Sequence, residues 1–400
     1  MNCRVCASSM VLEVFAIPPI PLVGEFTKEP NIEADLFPIT VLHCDNCKVL
    51  QIKESIDSNR LFHEYSFSSS TVPGLVRHFT EYANWIWEKY NPRKLLEVGC
   101  NDGILLEPLA KLGVDVFGLD ISKNISRLAK LKGLNVQALK FDLHNSAEIL
   151  DWMGEVDFVT ASNTFPHNED PNGFLESVSK VLSAKGKLAL EVMYAGSLQE
   201  NLQWDTIYHE HLHFHSLMSI QNLLSRHGFF LEHAELVPMH AGSLRIVASK
   251  IRPKSSFEVD VLIRKEIESG LNTREKWHEF ASKCWKSIDK AREMLIERQK
   301  FGNVWAYGAA GRATMWIKVA GLDFIESVID SSPLRAGHFM PGSNIPIVFP
   351  QELALAKQVQ TIFVTAWNYI DGIIAQHPEF DGVWAVPLPE YSQFTRKGNL

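Results

Sequence analysis

Apolar and polar residues follow each other along the chain in a pattern that predicts strands and helices in turn. Between residues 94 and 192, short apolar runs separate segments in which apolar residues recur at helical spacing. Strands that alternate with helices predict a mostly parallel, doubly wound α/β sheet, with ligands bound at the carboxyl ends of the strands. The predicted elements are, in chain order, strand KLLEV (94–98), helix ILLEPLAKLG (104–113), strand DVFGLDIS (115–122), strand FDL (141–143), strand VDFVTASN (156–163), helix NGFLESVSKVL (172–182) and strand GKLALEV (186–192).

A smaller second α/β unit is predicted toward the C-terminus. Residues 256–302 carry charged and apolar residues at helical spacing, and this pattern ends at Gly302. The segment NVWAYGAAGRATMWIKVAGL (303–322) then predicts a strand, a glycine turn and a helix. This turn either holds a phosphate through its backbone amides, with Arg312 adding charge, or is purely structural. Two more strands are predicted, in ESVIDSSP (326–333) and QTIFVTAW (360–367).

Composition narrows the classes of protein to which the chain can belong. Its 400 residues predict two or three domains, and its net charge of −8 predicts no binding to nucleic acid or to anionic membranes. Neither a secretory signal nor an apolar run long enough for a membrane span is recognisable. Six cysteines are too few for a disulfide scaffold in a chain of this length. We expect a cytoplasmic protein.

Four of the cysteines form two C-x-x-C pairs, Cys3/Cys6 and Cys44/Cys47. Each pair can give two sulfurs to one ion, and two such pairs are typical of a structural tetrahedral zinc site. The 37 residues between the pairs exceed the usual spacing, so the proline-rich segment VFAIPPIPLVGEF has to wrap around the site. An iron site of the rubredoxin kind is the alternative.

The first predicted strand leads into the glycine turn of KLLEVGCNDG. Its spacing, Glu97-x-Gly99-x-x-x-Gly103, differs from the G-x-G-x-x-G pattern of dinucleotide-binding proteins. Asp120 ends the next strand, where an acid accepts hydrogen bonds from ribose hydroxyls. The pattern resembles the class I S-adenosylmethionine-dependent methyltransferases, although a domain that binds NAD, or no nucleotide, stays open. The resemblance implies a cofactor site at Glu97, Gly99, Asn101, Gly103, Asp120 and Asn163.

Nearly the whole chain is similar to the nucleotide-sugar C-methyltransferases of deoxysugar biosynthesis. The resemblance rests on the four cysteines and on five further motifs in a fixed order: EYSFSSS (64–70), YHEH (208–211), HAGSLR (240–245), YGAAGRAT (307–314) and PGSNIPI (341–347). It implies a class I methyltransferase sheet flanked by a small zinc module and a Rossmann-like domain. The implied domains are residues 1–60, the zinc module; 61–245, the methyltransferase domain; and 246–400, the nucleotide-sugar domain.

Two departures from the family pattern lie near the implied sugar contacts. Ala241 stands where the family commonly has a glycine, and Arg312–Ala313 stands where it usually has lysine and glycine. The resemblance implies that the nucleotide sugar contacts His240, Arg245, Tyr307 and Arg312. These departures therefore bear on which sugar or nucleotide is bound.

The segment TIYHEHLHFHS (206–216) places histidines at alternate positions. Methyl transfer to carbon needs a base that removes the proton beside a ketone, and donors for the resulting enolate oxygen. On a regular strand Tyr208 and Glu210 would face away from His211, so the segment has to turn near residue 210. The resemblance implies a site formed by His211 as the base, Glu210 as its orienting group, Tyr208, Tyr65 and His167, the last following the strand in NTFPH. The roles of His167 and His211 are interchangeable at this point.

The predicted reaction is C-methylation of a nucleotide-linked 4-keto-6-deoxyhexose by S-adenosylmethionine. Carbon 3 is favoured, and carbon 5, which also flanks the ketone, stays open. The family points to thymidine diphosphate as the nucleotide, and we expect a monomer. Two other functions remain: an O- or N-methyltransferase, and a metal-dependent enzyme that uses His209, His211 and His213 as ligands.

Overall fold

The computed structural model describes residues 1–62, 65–253, 256–396 and 398–399, and the chain divides into two compact units. Both units are built from segments that are not contiguous in sequence. None of the helices within the described residues combines the length and apolar character needed to cross a membrane. The first unit comprises Met1–Leu12, Leu42–Ser197 and Leu212–Arg274, and the second comprises Glu13–Val41, Leu198–His211 and Glu275–Leu400.

The described residues contain strands of very different length. The strands are β1 (Val11–Ile20), β2 (Phe37–Cys44), β3 (Leu50–Ile52), β4 (Lys94–Val98), β5 (Asp115–Leu119), β6 (Asn135–Gln137), β7 (Val156–Ser162), β8 (Leu182–Met193), β9 (His213–Phe214), β10 (Phe230–Val237), β11 (Ser243–Ser249), β12 (Asn303–Tyr307), β13 (Val328–Ile329), β14 (Ile347–Val348), β15 (Val359–Val364), β16 (Val383–Val386), β17 (Ser392–Thr395) and β18 (Gly398–Asn399).

Helices connect most of these strands. They are α1 (Ser58–Phe62), α2 (Pro73–Tyr90), α3 (Leu106–Lys111), α4 (Lys123–Leu131), α5 (Ser146–Met153), α6 (Pro171–Val181), α7 (Ala195–Glu200), α8 (Leu217–Arg226), α9 (Phe257–Ser269), α10 (Arg274–Gln299), α11 (Gly311–Val319) and α12 (Ile370–Gln376).

The first unit contains a seven-stranded sheet in the order β10-β11-β8-β7-β4-β5-β6. The strands from β8 to β6 are parallel neighbours, while β11 is antiparallel to both β8 and β10. The order reverses on either side of β4, which is the doubly wound arrangement, and such a reversal point is where these sheets bind ligands. The predicted α/β fold is confirmed.

The core of the first unit lies between this sheet and its helices. Leu95 and Phe158 of the strands are buried in one cluster with Tyr82 and Ile86 of α2. Burying each such side chain contributes about 1.5–3 kcal/mol. This packing supports β4 and β7, whose carboxyl ends lead into the Gly99 turn and Asn163.

One predicted strand was wrong. FDL (141–143) is not a strand; the third strand on this side of the sheet is β6, Asn135–Gln137. Asp142 instead caps a turn, because its Oδ1 accepts the Asn145 backbone N–H at 3.0 Å. A carboxylate that bonds its own neighbouring backbone favours a turn over a strand.

The second unit contains another seven-stranded sheet, in the order β14-β13-β12-β15-β16-β17-β18. Its strands from β14 to β16 are parallel, and β17 and β18 add an antiparallel edge. The order again reverses at the strand that precedes a glycine turn, here β12. The predicted smaller α/β unit is therefore present.

Candidate active site

The four N-terminal cysteines converge on one point of the first unit. The Sγ atoms of Cys3 and Cys47 are 3.6 Å apart, as are those of Cys6 and Cys44. All four sulfurs lie within 4.8 Å of one another. Among the described residues this is the only group of three or more histidine, cysteine or carboxylate side chains that could share a metal ion.

Each cysteine pair sits on a tight backbone turn. Ala7 N–H donates to the Cys3 carbonyl at 2.9 Å, and Lys48 N–H donates to the Cys44 carbonyl at 2.8 Å. Both Ala7 and Lys48 have positive φ, at 58° and 68°, which closes the turn beneath the sulfurs. Four thiolates at 2.3 Å from a tetrahedral zinc are about 3.8 Å apart. The sulfur spacing therefore fits zinc, and the residues that hold it are Cys3, Cys6, Cys44 and Cys47.

The turn after β4 leaves no room for a side chain at either of its two glycines. Gly99 has φ of 72°, and a Cβ there would lie 1.9 Å from Thr164 Oγ1. Gly103 has φ of 80°, and a Cβ there would lie 2.2 Å from Leu134 Cδ1. Both positions therefore require glycine, for conformation and for space.

Asp120 follows β5 and ties the turn to the neighbouring strand. Its Oδ2 accepts the Asn101 backbone N–H at 3.0 Å, and its Oδ1 accepts the Ser122 N–H at 2.8 Å. Burial raises the pKa of this carboxyl above its ordinary value. Asp120 thus stands at the carboxyl end of its strand, as predicted.

Several buried side-chain atoms near this turn, Oδ1 of Asp102 among them, lack hydrogen-bond partners within the described residues. Oε2 of Glu97 and Oδ1 of Asn163 are buried without a hydrogen bond. Burial, with the charges of Asp120 and Asp102, raises the pKa of Glu97 well above its usual range. Buried polar atoms are rarely left unpaired in proteins, so a polar ligand is expected against them. The amine and hydroxyl groups of a nucleoside cofactor such as S-adenosylmethionine fit this requirement.

Side chains of the glycine turn hold the segment SFSSS (66–70) in place. Asn101 Oδ1 accepts the Ser69 N–H at 2.9 Å, and its Nδ2 donates to the Phe67 carbonyl at 3.1 Å. Asp102 Oδ2 accepts from the Ser68 hydroxyl at 2.6 Å. The Asn101 side chain thus holds protein backbone. Glu64 of the EYSFSSS motif lies outside the described residues.

Tyr65 and His167 share one aromatic neighbour in the first unit. The Tyr65 ring meets the Phe62 ring edge-on at 5.6 Å between centroids, and the His167 ring stacks on Phe62 at 5.4 Å. Burial lowers the pKa of His167 to about 4, so its imidazole is neutral near pH 7. These two predicted site residues therefore pack against the same ring.

The YHEH segment is a turn in the second unit. His211 N–H donates to the Tyr208 carbonyl at 2.9 Å, so the chain reverses where a regular strand would have continued. The Tyr208 and His211 rings are consequently 4.2 Å apart between centroids. The turn that the sequence required near residue 210 is present, and it brings the phenol and the imidazole to one side.

A backbone carbonyl orients the His211 ring. His211 Nδ1–H donates to the Thr206 carbonyl at 2.6 Å, and this bond makes Nε2 the basic nitrogen. Burial, then the Glu210 charge, raises the pKa of Tyr208, so its phenol stays protonated. Thr206 had no signal in the sequence, because a carbonyl is present at every residue.

The other histidines of the segment make hydrogen bonds within the protein. His209 Nε2 lies 3.2 Å from the Phe37 and Pro38 carbonyls in the second unit. In the first unit His215 Nε2–H donates to His213 Nδ1 at 2.8 Å, and His213 Nε2–H donates to the Asn168 carbonyl at 3.2 Å. Burial lowers the pKa of His215 to about 3.

Two of the predicted substrate contacts lie on and just before β11. His240 has φ of 51° in the loop that ends at Gly242, where a Cβ would lie 2.2 Å from Ser197 Oγ. The Arg245 Nη2 atom is 2.8 Å from Glu191 Oε2, and its Nη1 is 3.1 Å from Glu235 Oε1. Arg245 is therefore engaged by carboxylates of the chain itself, and its contact with substrate stays a prediction.

The other two lie at the second glycine turn. Tyr307 O–H donates to His377 Nε2 at 3.1 Å, and burial raises the pKa of this tyrosine to about 12. The Arg312 guanidinium carbon lies 4.9 Å from the centre of the Trp367 ring. Tyr208 packs against this same turn, because a Cβ on Gly311 would lie 2.9 Å from its Cζ.

The acid that follows β13 repeats the position of Asp120. Asp330 Oδ2 accepts the Ala309 N–H at 2.8 Å, and its Oδ1 accepts the Ser332 N–H at 2.8 Å. Arg335 Nη2 also reaches Asp330 Oδ1, at 3.0 Å. This carboxylate thus has a cationic partner inside the protein.

Three family models match the chain in succession. A domain described as zinc binding matches residues 3–62, a methyltransferase domain matches residues 72–234, and a C-methyltransferase C-terminal domain matches residues 238–389. Together these models follow the order of zinc site, first sheet and second sheet.

One similar relative spans almost the full length. The C-methyltransferase NovU of Streptomyces niveus is 28% identical over 97% of this chain and 96% of its own length. A ubiquinone biosynthesis O-methyltransferase of Xanthomonas oryzae pv. oryzae is 31% identical, over 25% of this chain and 43% of its own. The similarity that covers both chains is thus to a C-methyltransferase.

The solved structures that match part of this chain include two methyltransferases. A magnesium protoporphyrin IX methyltransferase from Synechocystis with bound S-adenosylmethionine is 18% identical and covers 45% of this chain and 80% of its own, with a TM-score of 0.34. The glycopeptide N-methyltransferase MtfA is 16% identical over 44% of this chain and 90% of its own, with a TM-score of 0.35.

Proposed function

Because this chain belongs to the S-adenosylmethionine-dependent C-methyltransferases that carry an N-terminal zinc-binding domain, we propose that it methylates carbon in a nucleotide-linked 4-keto-6-deoxyhexose. Carbon 3 is the proposed position. The proposal includes thymidine diphosphate as the nucleotide and a monomer that acts in the cytoplasm. The domain boundaries after residues 60 and 245 belong to the same proposal.

The reaction needs a carbon nucleophile beside the ketone. A base removes the carbon 3 proton, and the electron pair of that C–H bond moves into the enolate with its charge on the carbon 4 oxygen. When bound, S-adenosylmethionine would supply an activated sulfonium methyl group: as carbon 3 forms the new C–C bond, the S–CH3 bond breaks, its electron pair stays on sulfur in the departing S-adenosylhomocysteine, and the carbon 4 ketone is restored. The chain's own task is therefore to remove one proton and to stabilise one oxyanion.

The observation that carries the proposal is the bond between His211 and the Thr206 carbonyl. This 2.6 Å bond fixes the Nδ1–H tautomer, so Nε2 is the atom that accepts a proton. As Nε2 takes the carbon proton, the carbonyl stabilises the imidazolium that forms. We assign His211 as the base, and Glu210 as the carboxylate that supports its charge.

Tyr208 is the proposed donor to the enolate oxygen. Its raised pKa keeps the phenol protonated, and its ring lies against the His211 imidazole. A protonated donor beside the base can meet the oxyanion as it forms. Tyr65 and His167, which each pack against Phe62, are proposed to act on the ketone oxygen or in proton return, and His167 can do so as a neutral imidazole.

Cofactor and substrate are assigned to different glycine turns. S-adenosylmethionine is proposed to bind at the first turn, where Gly99 and Gly103 let it approach and the unpaired atoms of Glu97 and Asn163 take its polar groups, with Asp120 on the ribose. Asn101 contributes through the backbone of the turn. The diphosphate is proposed to bind at the second turn, with Arg312 and Tyr307, and His240 and Arg245 complete the predicted contacts.

The test is exchange in deuterated water. Incubation with a thymidine diphosphate 4-keto-6-deoxy sugar, without S-adenosylmethionine, should replace the carbon 3 proton by deuterium, as proton NMR detects. Addition of S-adenosylmethionine should then add one methyl group to that carbon. His211→Gln should abolish both reactions, while His209→Gln is the matched control. A methyl group on oxygen or nitrogen would overturn the proposal.

A further inference from the structure

A buried carboxylate lies under the second glycine turn and has no place in the reaction described so far. Asp205 is 0% exposed, and its Oδ2 accepts the indole N–H groups of Trp316 and Trp367, each at 3.1 Å. Burial raises the pKa of Asp205, while Arg312 and the two indoles oppose that shift. In the second unit, two indole N–H groups therefore donate to a single carboxylate oxygen.

Arg312 lies over this cluster. Its Nη1 is 4.0 Å from Asp205 Oδ1, and its guanidinium carbon is 4.9 Å from the Trp367 ring centre. Nη1 is buried and has no hydrogen-bond acceptor among the described residues, and the Arg312 side chain is only 12% exposed. A guanidinium this deep is held by its counter-charge and its stacking surface, because either loss would favour its return to water.

We propose that Asp205 is the positioning residue that holds Arg312 at the second glycine turn for the diphosphate of the substrate. Asp205 fixes the Trp367 indole from below, the indole face supports the guanidinium, and the carboxylate charge keeps the guanidinium from swinging out to solvent. This inference rests on the proposed function, since it names how that function's nucleotide diphosphate is recognised.

Asp205 also connects this anion site to the proposed base. It belongs to the 3₁₀ helix Trp204–Thr206, whose Thr206 carbonyl orients His211. Trp204 packs against Trp316 at 4.7 Å between ring centroids. One short helix therefore supports both the group that binds the charged end of the substrate and the group that removes its proton.

The experiment measures the affinity for thymidine diphosphate by calorimetry, with thymidine as a probe that lacks the charge. Asp205→Asn keeps an acceptor oxygen for the indoles and removes the charge, so affinity for thymidine diphosphate should fall about tenfold while that for thymidine is unchanged. Arg312→Gln should have a similar effect. In the double variant the two losses should not add, because Asp205 acts through Arg312.

Trp367→Phe keeps an aromatic face and removes one indole donor. It should weaken thymidine diphosphate binding about threefold, again only when Arg312 is present. Trp305→Phe is the matched control, because the buried Trp305 indole nitrogen has no partner among the described residues. This pair keeps the test decisive if Asp205→Asn fails to fold.

The outcomes separate the inference from the proposed function. Tighter binding by Asp205→Asn would mean that Asp205 repels the anion, and additive losses in the double variant would mean that it acts on the fold alone. Either result overturns the positioning role while the nucleotide-sugar substrate stands. If the wild-type protein binds no thymidine diphosphate, then the proposed substrate falls and the inference falls with it.

Discussion

The molecule contains two strand–glycine turn–helix arrangements, and they differ in how the acid at the next strand end is used. Asp120 accepts the N–H of Asn101 and of Ser122, and Asp330 accepts those of Ala309 and Ser332. Among the described residues Asp120 has no cationic partner, whereas Arg335 lies 3.0 Å from Asp330.

Because of this difference, two arrangements with the same order of strand, glycine turn and helix differ in their capacity to bind a ribose. A carboxylate with unneutralised charge can accept hydrogen bonds from both ribose hydroxyls. A carboxylate that is already paired with a guanidinium gains less free energy from hydrogen bonds with ribose hydroxyls. The first turn is therefore suited to a nucleoside cofactor, whereas the ligand proposed for the second turn would need other contacts, for which Arg312 is our candidate.

Breaking the Asp330–Arg335 pair is expected to have the largest effect. Arg335→Met leaves a buried carboxylate without its partner, which should lower the free energy of unfolding by about 3–5 kcal/mol. Thermal unfolding checks the loss, and hydrogen exchange should locate it around β12 and β13. S-adenosylmethionine affinity should not change. The double variant Asp330→Asn with Arg335→Met should recover part of the stability, and failure to do so would argue against the pairing.

Low pH should lower the stability of the folded protein at the first arrangement. His167 follows Thr164, whose hydroxyl contacts the Gly99 carbonyl, and burial lowers the His167 pKa from 6.5 to about 4. The unfolded chain then binds more protons than the folded one between these values, so stability is present above pH 6.5 and is lost as pH falls toward 4. The loss from this residue is about 3 kcal/mol.

The pH dependence of the unfolding midpoint measures this effect. His167→Gln should flatten the profile between pH 6.5 and pH 4, and His144→Gln, at an exposed histidine, is the matched control. An unchanged slope in His167→Gln would show that His167 does not stay neutral in the folded protein.

Gly99→Ala tests the space in the first turn. The added Cβ would lie 1.9 Å from Thr164 Oγ1, so the turn has to shift, and we expect about a hundredfold loss of S-adenosylmethionine affinity in calorimetry. Gly113→Ala is the control, because Gly113 also has positive φ, at 88°, but has no atom within 4 Å of an added Cβ. Equal losses in both variants would mean that conformational strain, rather than space, determines affinity.

Replacing each of the two acids by asparagine is expected to have the smallest effect and compares the two arrangements directly. Asp120→Asn should weaken S-adenosylmethionine binding about tenfold, because an amide accepts less well from the ribose hydroxyls than a carboxylate does. Asp330→Asn should leave that affinity unchanged. If both variants weaken it equally, then the two acids do not differ in the way proposed.

Sequence reasoning predicted the parts of the fold that depend on local pattern. Apolar runs, glycine turns and strand-end acids located both α/β units, and the C-x-x-C spacing located the zinc site. FDL was wrong because three apolar or acidic residues cannot distinguish a strand from a turn capped by Asp142. The error arose where the pattern was shortest.

The site was predictable only as far as its side chains carry motifs. YHEH marked Tyr208 and His211, but their contact depends on a turn, and the orienting Thr206 carbonyl leaves no trace in the sequence. Arg335 and Asp205 were missed because their importance comes from partners distant along the chain, such as Trp316 and Trp367. The catalytic and binding roles of the predicted residues stay predictions.

The discontinuous second unit has a consequence for building chimeric enzymes. Its C-terminal stretch, Glu275–Leu400, is the obvious piece to exchange between relatives in order to change the proposed sugar preference. Such an exchange would leave Leu198–His211 behind, and with it Asp205, whose indole partners would then come from a different parent. Recombination between these genes should therefore succeed when the short internal segment is inherited together with the distant C-terminal one.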